Sequence, residues 1–139
     1  MIKIILKAAE NFCIHQIRLP YTINDEVNNS KTFISYIDID AKDSKTYRVY
    51  IAGENGFIQK VAQVFLEEDS SDEETLIDMS LETANLIVGS AKVIAEDDNQ
   101  FTIGTPKFLK IDFLDYDYDD IKSIKIEDSE LQIAIKELN

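Results

Sequence analysis

Residues Leu76–Ala95 read LIDMSLETANLIVGSAKVIA, and at ~100° per residue this stretch resolves into a helix with two unequal sides. Leu76, Ala84, Ile87, Ala91 and Ile94 mark the centre of a broad apolar side, flanked by Met79, Leu81, Leu86, Val88 and Val93. Asp78, Glu82, Asn85, Gly89 and Lys92 fall together in a wedge of about 80°. The pattern predicts a helix that is almost wholly buried and exposes one thin polar strip. Two members of that strip are poor choices for a solvent face: asparagine is a middling helix former, and an interior glycine costs roughly 1 kcal/mol against alanine. A glycine there would let another surface come close to the backbone.

Working outward, Asp72, Glu73 and Glu74 stand where the helix dipole favours negative charge. Upstream, Phe57, Ile58, Val61, Ala62 and Phe65 share a face, which predicts a helix starting after Gly56 and fraying into the solvated run EEDSSDEE. Before it, KTFISYIDID places Phe33, Ser35, Ile37 and Ile39 on one face, and KTYRVYIAG alternates Tyr47, Val49 and Ile51. With AKDS between them these two segments predict a hairpin. Ile2–Leu19 repeats apolar residues at helical spacing until Pro20, after which YTINDEVNNS reads as a polar, turn-rich loop. Downstream, strands are expected at 101–103, 107–113, 121–126 and 131–135, with EDSE as a hairpin turn. The order suits an α+β fold, a mostly antiparallel sheet with long helices packed on one face.

The chain has 139 residues, 45% hydrophobic and 29% charged, with two prolines and four glycines, which predicts one domain spanning residues 1–139. Its 27 acidic and 14 basic residues give a net charge of −13. Such a surface disfavours nucleic acid and anionic membranes and leaves proteins or small molecules as partners. No stretch is long and apolar enough for a membrane span, and the opening residues lack a secretory cleavage site. A lone cysteine, Cys13, fits a reducing compartment. A cytoplasmic location is expected.

The order YRVYIAGENGFIQKVAQVFLEED, then ETLIDMSLETANLIVGSAK, then FTIGTPKFL resembles the CheX branch of the CheC, CheX and FliY family of bacterial chemotaxis phosphatases. The family motif, a helix with Glu-x-x-Asn followed some twenty residues later by proline, is matched by Glu82, Asn85 and Pro106. Asp78 stands four before Glu82, as in the related CheC pattern. Ser80 and Leu81 depart from the small-residue or glycine step that many relatives have before the glutamate. The resemblance implies hydrolysis of the aspartyl phosphate of a CheY-type receiver: Asn85 would hold the attacking water and Glu82 would dock on the receiver's active-site lysine. Asp78, Gly89 and Lys92 would contact the partner. It further implies no cofactor of the chain's own, magnesium being supplied by the receiver, and a homodimer, which the hydrophobic C-terminal strands could form by extending the sheet. A carboxamide both donates to and accepts from one water, which suits orientation rather than deprotonation. The net charge of −13 fits an acidic receiver pocket poorly, so association is expected to rest on shape and the Glu82 contact.

Other features read more plainly. Cys13 and His15 lie roughly 200° apart on a helix, too far round it to act as nucleophile and base. DFLDYDYDDI lacks the glycine and the glutamate of a calcium loop, offering Asp120 and Ile126 instead, and reads as a solvated acidic connection between strands; DIDAKDSK fails likewise at Asp43 and Val49. Glu26 and Asn29 repeat the Glu-x-x-Asn spacing in a polar loop and read as coincidence. Two rivals remain: a binding module of the same fold without catalysis, as in flagellar switch proteins that lack the Glu–Asn pair, and an acidic protein that engages a basic partner.

Overall fold

The computed structural model describes residues 1–25, 29–42, 44–95 and 101–138; Glu26, of the second Glu-x-x-Asn, and Asp43, of the second calcium-loop comparison, lie outside these. Helix α1 spans Ile2–Phe12 and runs into a π-helical turn, Cys13–Ile17. Strands β1 (Tyr21–Asn24), β2 (Thr32–Ala41) and β3 (Thr46–Glu54) follow, then α2 (Asn55–Leu66), α3 (Glu73–Ile94), β4 (Phe101–Ile103), β5 (Lys107–Asp112), β6 (Asp120–Ile126) and β7 (Ser129–Glu137). The seven strands form one antiparallel sheet in the order β1-β6-β7-β3-β2-β4, with β5 also pairing β2.

The expected β2–β3 hairpin is present, in register from Thr32–Glu54 to Asp40–Thr46. Two expectations are corrected. The region 21–30 contains a strand, because Tyr21–Asn24 pairs with β6 while Tyr21 donates to Glu10 of α1 at 3.0 Å. And β6 and β7 cannot extend the sheet at an edge: each is paired on both sides, so the outer strands are β1 at one end and β4 with β5 at the other. Pro106 sits where β2 exchanges β4 for β5, beside Gly104, whose N–H bonds the Asp38 carbonyl at 2.8 Å. Proline, with no N–H to donate, belongs at such an edge.

All three helices cover one face. Phe33, Ile37 and Ile39 of β2, Val49 and Ile51 of β3, and Leu131 and Ile133 of β7 join Ile5, Phe57, Ile58, Ala84, Ile87 and Ala91 in one core. Alternation sends Ile34, Tyr50, Ala52 and Ala134 to the other face. There the segment 113–119, expected to be a solvated connection, folds back as a cover: Leu114, Tyr116 and Tyr118 pack inward, and Tyr116 stacks on Tyr50 at 5.2 Å. The intervening aspartates turn outward to lysines, Asp115 to Lys110 at 3.0 Å and Asp117 and Asp119 to Lys136 at 3.2 Å each. The Asp–aromatic alternation that looked like a metal loop is a strand-like cover clipped at its rim.

The sheet fixes α3 through small side chains. Ser80, Ala84 and Ala91 are buried, Ile87 fills the space between them, and Ser35 of β2 meets Ser80 at 3.1 Å between hydroxyls. The helix is capped at Asp72, whose carboxylate accepts from the Thr75 N–H at 2.8 Å and is held below the usual range by Thr75, through its side chain first and its backbone N–H second. Ile87→Ala should destabilise by about 2–5 kcal/mol, the range for emptying a well-packed aliphatic site, seen as a lower urea midpoint at unchanged slope. The Asp119 carboxyl is also held below its usual range, by the Glu137 N–H and then by Lys136. A depressed carboxyl stabilises above its unfolded pKa and loses that contribution as pH falls through its folded value. The 113–119 cover should therefore loosen below about pH 4, read in the near-UV dichroism of its tyrosines, and Asp119→Asn should already lack this acid step.

Candidate functional site

On α3 the polar wedge emerges as predicted. Asp78, Glu82, Asn85 and Lys92 are exposed and Gly89 is half-buried, while Leu76, Thr83, Ala84, Ile87, Val88 and Ala91 turn inward. The strip is broader at its C-terminal end than the sequence suggested, because Ser90 is exposed and Val93, expected to flank the wedge, is 79% exposed. Thr83, the polar residue inside the Glu-x-x-Asn motif, is buried and donates to the Met79 carbonyl at 2.7 Å, so it takes no part in the outer surface.

Glu82 and Asn85 stand three apart, which brings their Cβ atoms to about 5–6 Å on one helix face. Among the described residues no hydrogen bond or ion pair engages Asp78, Glu82, Asn85 or Lys92. The carboxylate and the carboxamide are thus held by a rigid helix, unoccupied by neighbours. Among the described residues a Cβ placed on Gly89 would meet nothing within 4 Å, so their packing does not require the glycine, in contrast to Gly53, where a Cβ would press on Ile58 at 2.6 Å.

A neighbouring element that the sequence did not bring to the site is the end of α1. Asn11, Phe12, His15 and Gln16 face Leu86 and Ser90 across a cleft of about 120 Å³. Leu86 and Ser90 directly follow Asn85 and Gly89, so this cleft borders the strip. It exists because the chain winds through a π-helical turn, closed by Arg18 N–H to Cys13 carbonyl at 2.7 Å and ended by Arg18 at φ 62. No sequence period signals a π turn, although a helix-length apolar pattern ending in Pro20 marks where the helix must stop. Cys13 is buried and His15 exposed, so the two do face apart. Burial, and secondarily Glu10, pushes the Cys13 thiol up to about 12, which leaves it without nucleophilic character.

A larger polar hollow of about 540 Å³ lies between α2 and the β6–β7 turn, lined by Asn55, Gln59, Gln63, Asp69 and Ser129 among others. It contains none of the predicted site residues. Among the described residues no three His, Cys, Asp or Glu side chains are grouped to hold a metal ion, and no helix is long and apolar enough to cross a membrane.

The fold has solved counterparts. The chemotaxis protein CheX of Vibrio vulnificus superposes with a TM-score of 0.78 over 97% of this chain and 95% of that one, at 17% identity. A putative chemotaxis protein of Desulfovibrio vulgaris Hildenborough gives 0.72 over 99% and 96% at 18% identity. The CheX of a CheX–CheY–BeF3–Mg2+ complex from Borrelia burgdorferi gives 0.68 over 97% of each chain at 17% identity. No curated protein sequence matches the chain significantly. The family model "Chemotaxis phosphatase CheX" matches residues 36–127, a span that holds β3, both long helices and the whole α3 strip, and the chain therefore belongs to the CheX family.

Proposed function

We propose that residues 1–139 form a single CheX-like domain that hydrolyses the aspartyl phosphate of a CheY-type response-regulator receiver, with Asn85 and Glu82 as its catalytic pair. The observation that carries this reading is the pair itself: a carboxamide and a carboxylate one turn apart, exposed, and without partners among the described residues, on a helix whose other sides are packed. The family supports it, and the Borrelia relative is found with CheY, BeF3 and magnesium.

In this reading α3 enters the receiver's phosphorylated pocket. Asn85 accepts from and donates to one water and sets it in line with phosphorus. The carboxamide is too weak a base to take the proton, so its contribution is position. Glu82 makes a charge-assisted contact with the receiver's lysine and fixes the register in which Asn85 meets the phosphoryl group. Magnesium belongs to the receiver and balances charge on the phosphoryl oxygens; this chain supplies no ligand to it. Asp78 and Lys92 extend the contact along the strip, and Gly89 lets the partner's surface reach the helix backbone. The receiver acts in the cytoplasm, which places this chain there. A homodimer would be joined through a free sheet edge, β1 or the β4–β5 side, rather than through β6 and β7.

The test follows phosphate loss from a magnesium-bound phosphorylated receiver. Wild-type protein should accelerate it. Asn85→Ala should lower the catalysed rate about 100-fold, the scale of losing alignment at the reacting atom, with binding retained. Glu82→Ala should cost about tenfold in kcat/KM, the scale of one charge-assisted hydrogen bond. Equal decay with and without the wild type, while the receiver still binds, would leave a non-catalytic module of the same fold.

Gly89 separates function from folding. Because a Cβ there meets nothing within 4 Å among the described residues, Gly89→Ala should raise stability by up to about 1 kcal/mol through helix propensity. The same variant should weaken receiver binding. A gain in Tm with full affinity would show that no partner surface approaches the backbone at this point.

A further inference from the structure

The α3 strip changes electrical character along its length. Its exposed acids, Glu73, Glu74, Asp78 and Glu82, all lie in the N-terminal half. Beyond Glu82 the described helix carries no acid, and its exposed side chains are Asn85, Ser90, Lys92 and Val93. The element beside this second half is the cationic end of an acidic protein. Residues 1–20 hold Lys3, Lys7 and Arg18 against Glu10, in a chain whose net charge is −13.

Lys3, Lys7 and Arg18 are exposed, and among the described residues none is paired with a carboxylate; Arg18 Nε donates to the His15 carbonyl at 3.3 Å, and Glu10 instead accepts from Tyr21. Many cations on the sheet are taken: Arg48 by Asp38 at 2.7 Å, Lys110 by Asp115, Lys122 by Asp25 at 2.8 Å, and Lys136 by Asp117 and Asp119. His15 lines the cleft against Leu86 and Ser90, and Lys7 lies two turns before it on the same stripe of α1, through Asn11.

We infer that the cleft between the α1 end and the C-terminal half of α3 is an anion-accepting half-site that receives the carboxylate-rich rim around the receiver's phosphoryl group, while Glu82 takes a cation of the same partner. This rests on the receiver-phosphatase reading above. Screening makes it workable for a protein of net −13, since charges more than about 8 Å apart in solvent are largely screened at physiological salt. The aspartates of the 113–119 cover lie on the far side of the sheet, about one layer spacing of 10 Å away. An approaching anionic surface therefore responds to Lys7, Arg18 and Lys92 more than to the total, with His15 offering a polar ring at the cleft. Two half-sites of opposite sign along one helix also fix docking direction, because a reversed partner would set carboxylate on carboxylate and cation on cation.

The experiment titrates a receiver held in its active form with BeF3 and magnesium against the full chain, and in parallel follows phosphate loss. The variants are Lys7→Glu and His15→Glu, with Lys125→Glu on exposed β6 as a control that makes the net charge more negative by the same amount as Lys7→Glu. Thermal midpoints confirm that all three fold. Each α1 variant should raise Kd about three- to tenfold, with the loss falling on KM rather than kcat, and wild-type affinity should fall several-fold between about 50 and 200 mM salt. The control should keep wild-type affinity. Wild-type Kd in both α1 variants, or an equal loss in Lys125→Glu, would overturn the inference. Binding that responds as expected without any acceleration of phosphate loss would sink the phosphatase reading and leave the half-site standing; acceleration with Kd indifferent to all three changes would do the reverse.

Discussion

The contact between α3 and the helical face of the sheet is the constraint on which the rest depends. Ser80, Ala84 and Ala91 are small enough to bring the helix backbone close to β2, and Ile87 fills the remaining space. Ser35 is a polar residue in an otherwise apolar face of β2, and its hydroxyl is matched by Ser80 across the interface. A buried hydroxyl left unmatched costs more than a matched pair returns, so the pairing selects one rotation of α3 among those that would bury its apolar side. That rotation determines where Glu82 and Asn85 point. The direction of the proposed catalytic pair is a consequence of helix–sheet packing, and the two exposed residues need no supporting hydrogen bonds of their own to be aimed outward.

The sheet in turn can serve as a firm base because both of its faces are covered. An antiparallel sheet often leaves one face to water. In this chain the second face receives Leu114, Tyr116 and Tyr118, and Arg48 lies over Tyr36 at 4.1 Å while bonding Asp38 through two nitrogens. The central strands β2 and β3 thus pack on both sides, which limits their movement beneath α3. The acid-rich character of the covering segment does not conflict with this role, because its aspartates alternate outward and meet lysines of β5 and β7.

How far the sequence revealed this arrangement follows from the kind of signal each part leaves. The α3 strip was legible because a 22-residue helix provides enough turns for one face to be separated from another, and Asp78, Glu82 and Asn85 all emerge on it. The β2–β3 hairpin was legible from alternation over long strands. Strand β1 was not, since four residues, three of them exposed, carry too little hydrophobic pattern to compete with the surrounding Asn and Asp. The cover over the second face was read as solvated for a related reason: Asp at every second place dominates composition, although the same alternation is what lets Leu114, Tyr116 and Tyr118 face inward. The cleft beside the strip could not be read at all, because it depends on which helix packs against α3 and on a π turn with no sequence period.

The same packing resolves a difficulty that composition raises. A chain of net charge −13 is ill-suited by total charge to the phosphorylated, carboxylate-lined pocket of the proposed partner, since on that sum alone the encounter would be repulsive. Charge acts over about a Debye length, so its placement outweighs its sum. The fold holds Asp115, Asp117 and Asp119 in ion pairs on the sheet's far face, and the acidic 67–74 run leads into the N-terminal end of α3. Beyond Glu82 the described residues of α3 expose only neutral or cationic side chains, Asn85, Ser90, Lys92 and Val93, and the neighbouring α1 and its π turn add Lys7 and Arg18 against Glu10. Glu82 then stands at the boundary between an acidic and a basic half of one helix face. A residue at that boundary can select a partner's cation while its neighbour three positions on faces the partner's anion, and this polarity arises from strand order and helix packing rather than from any feature of the motif itself.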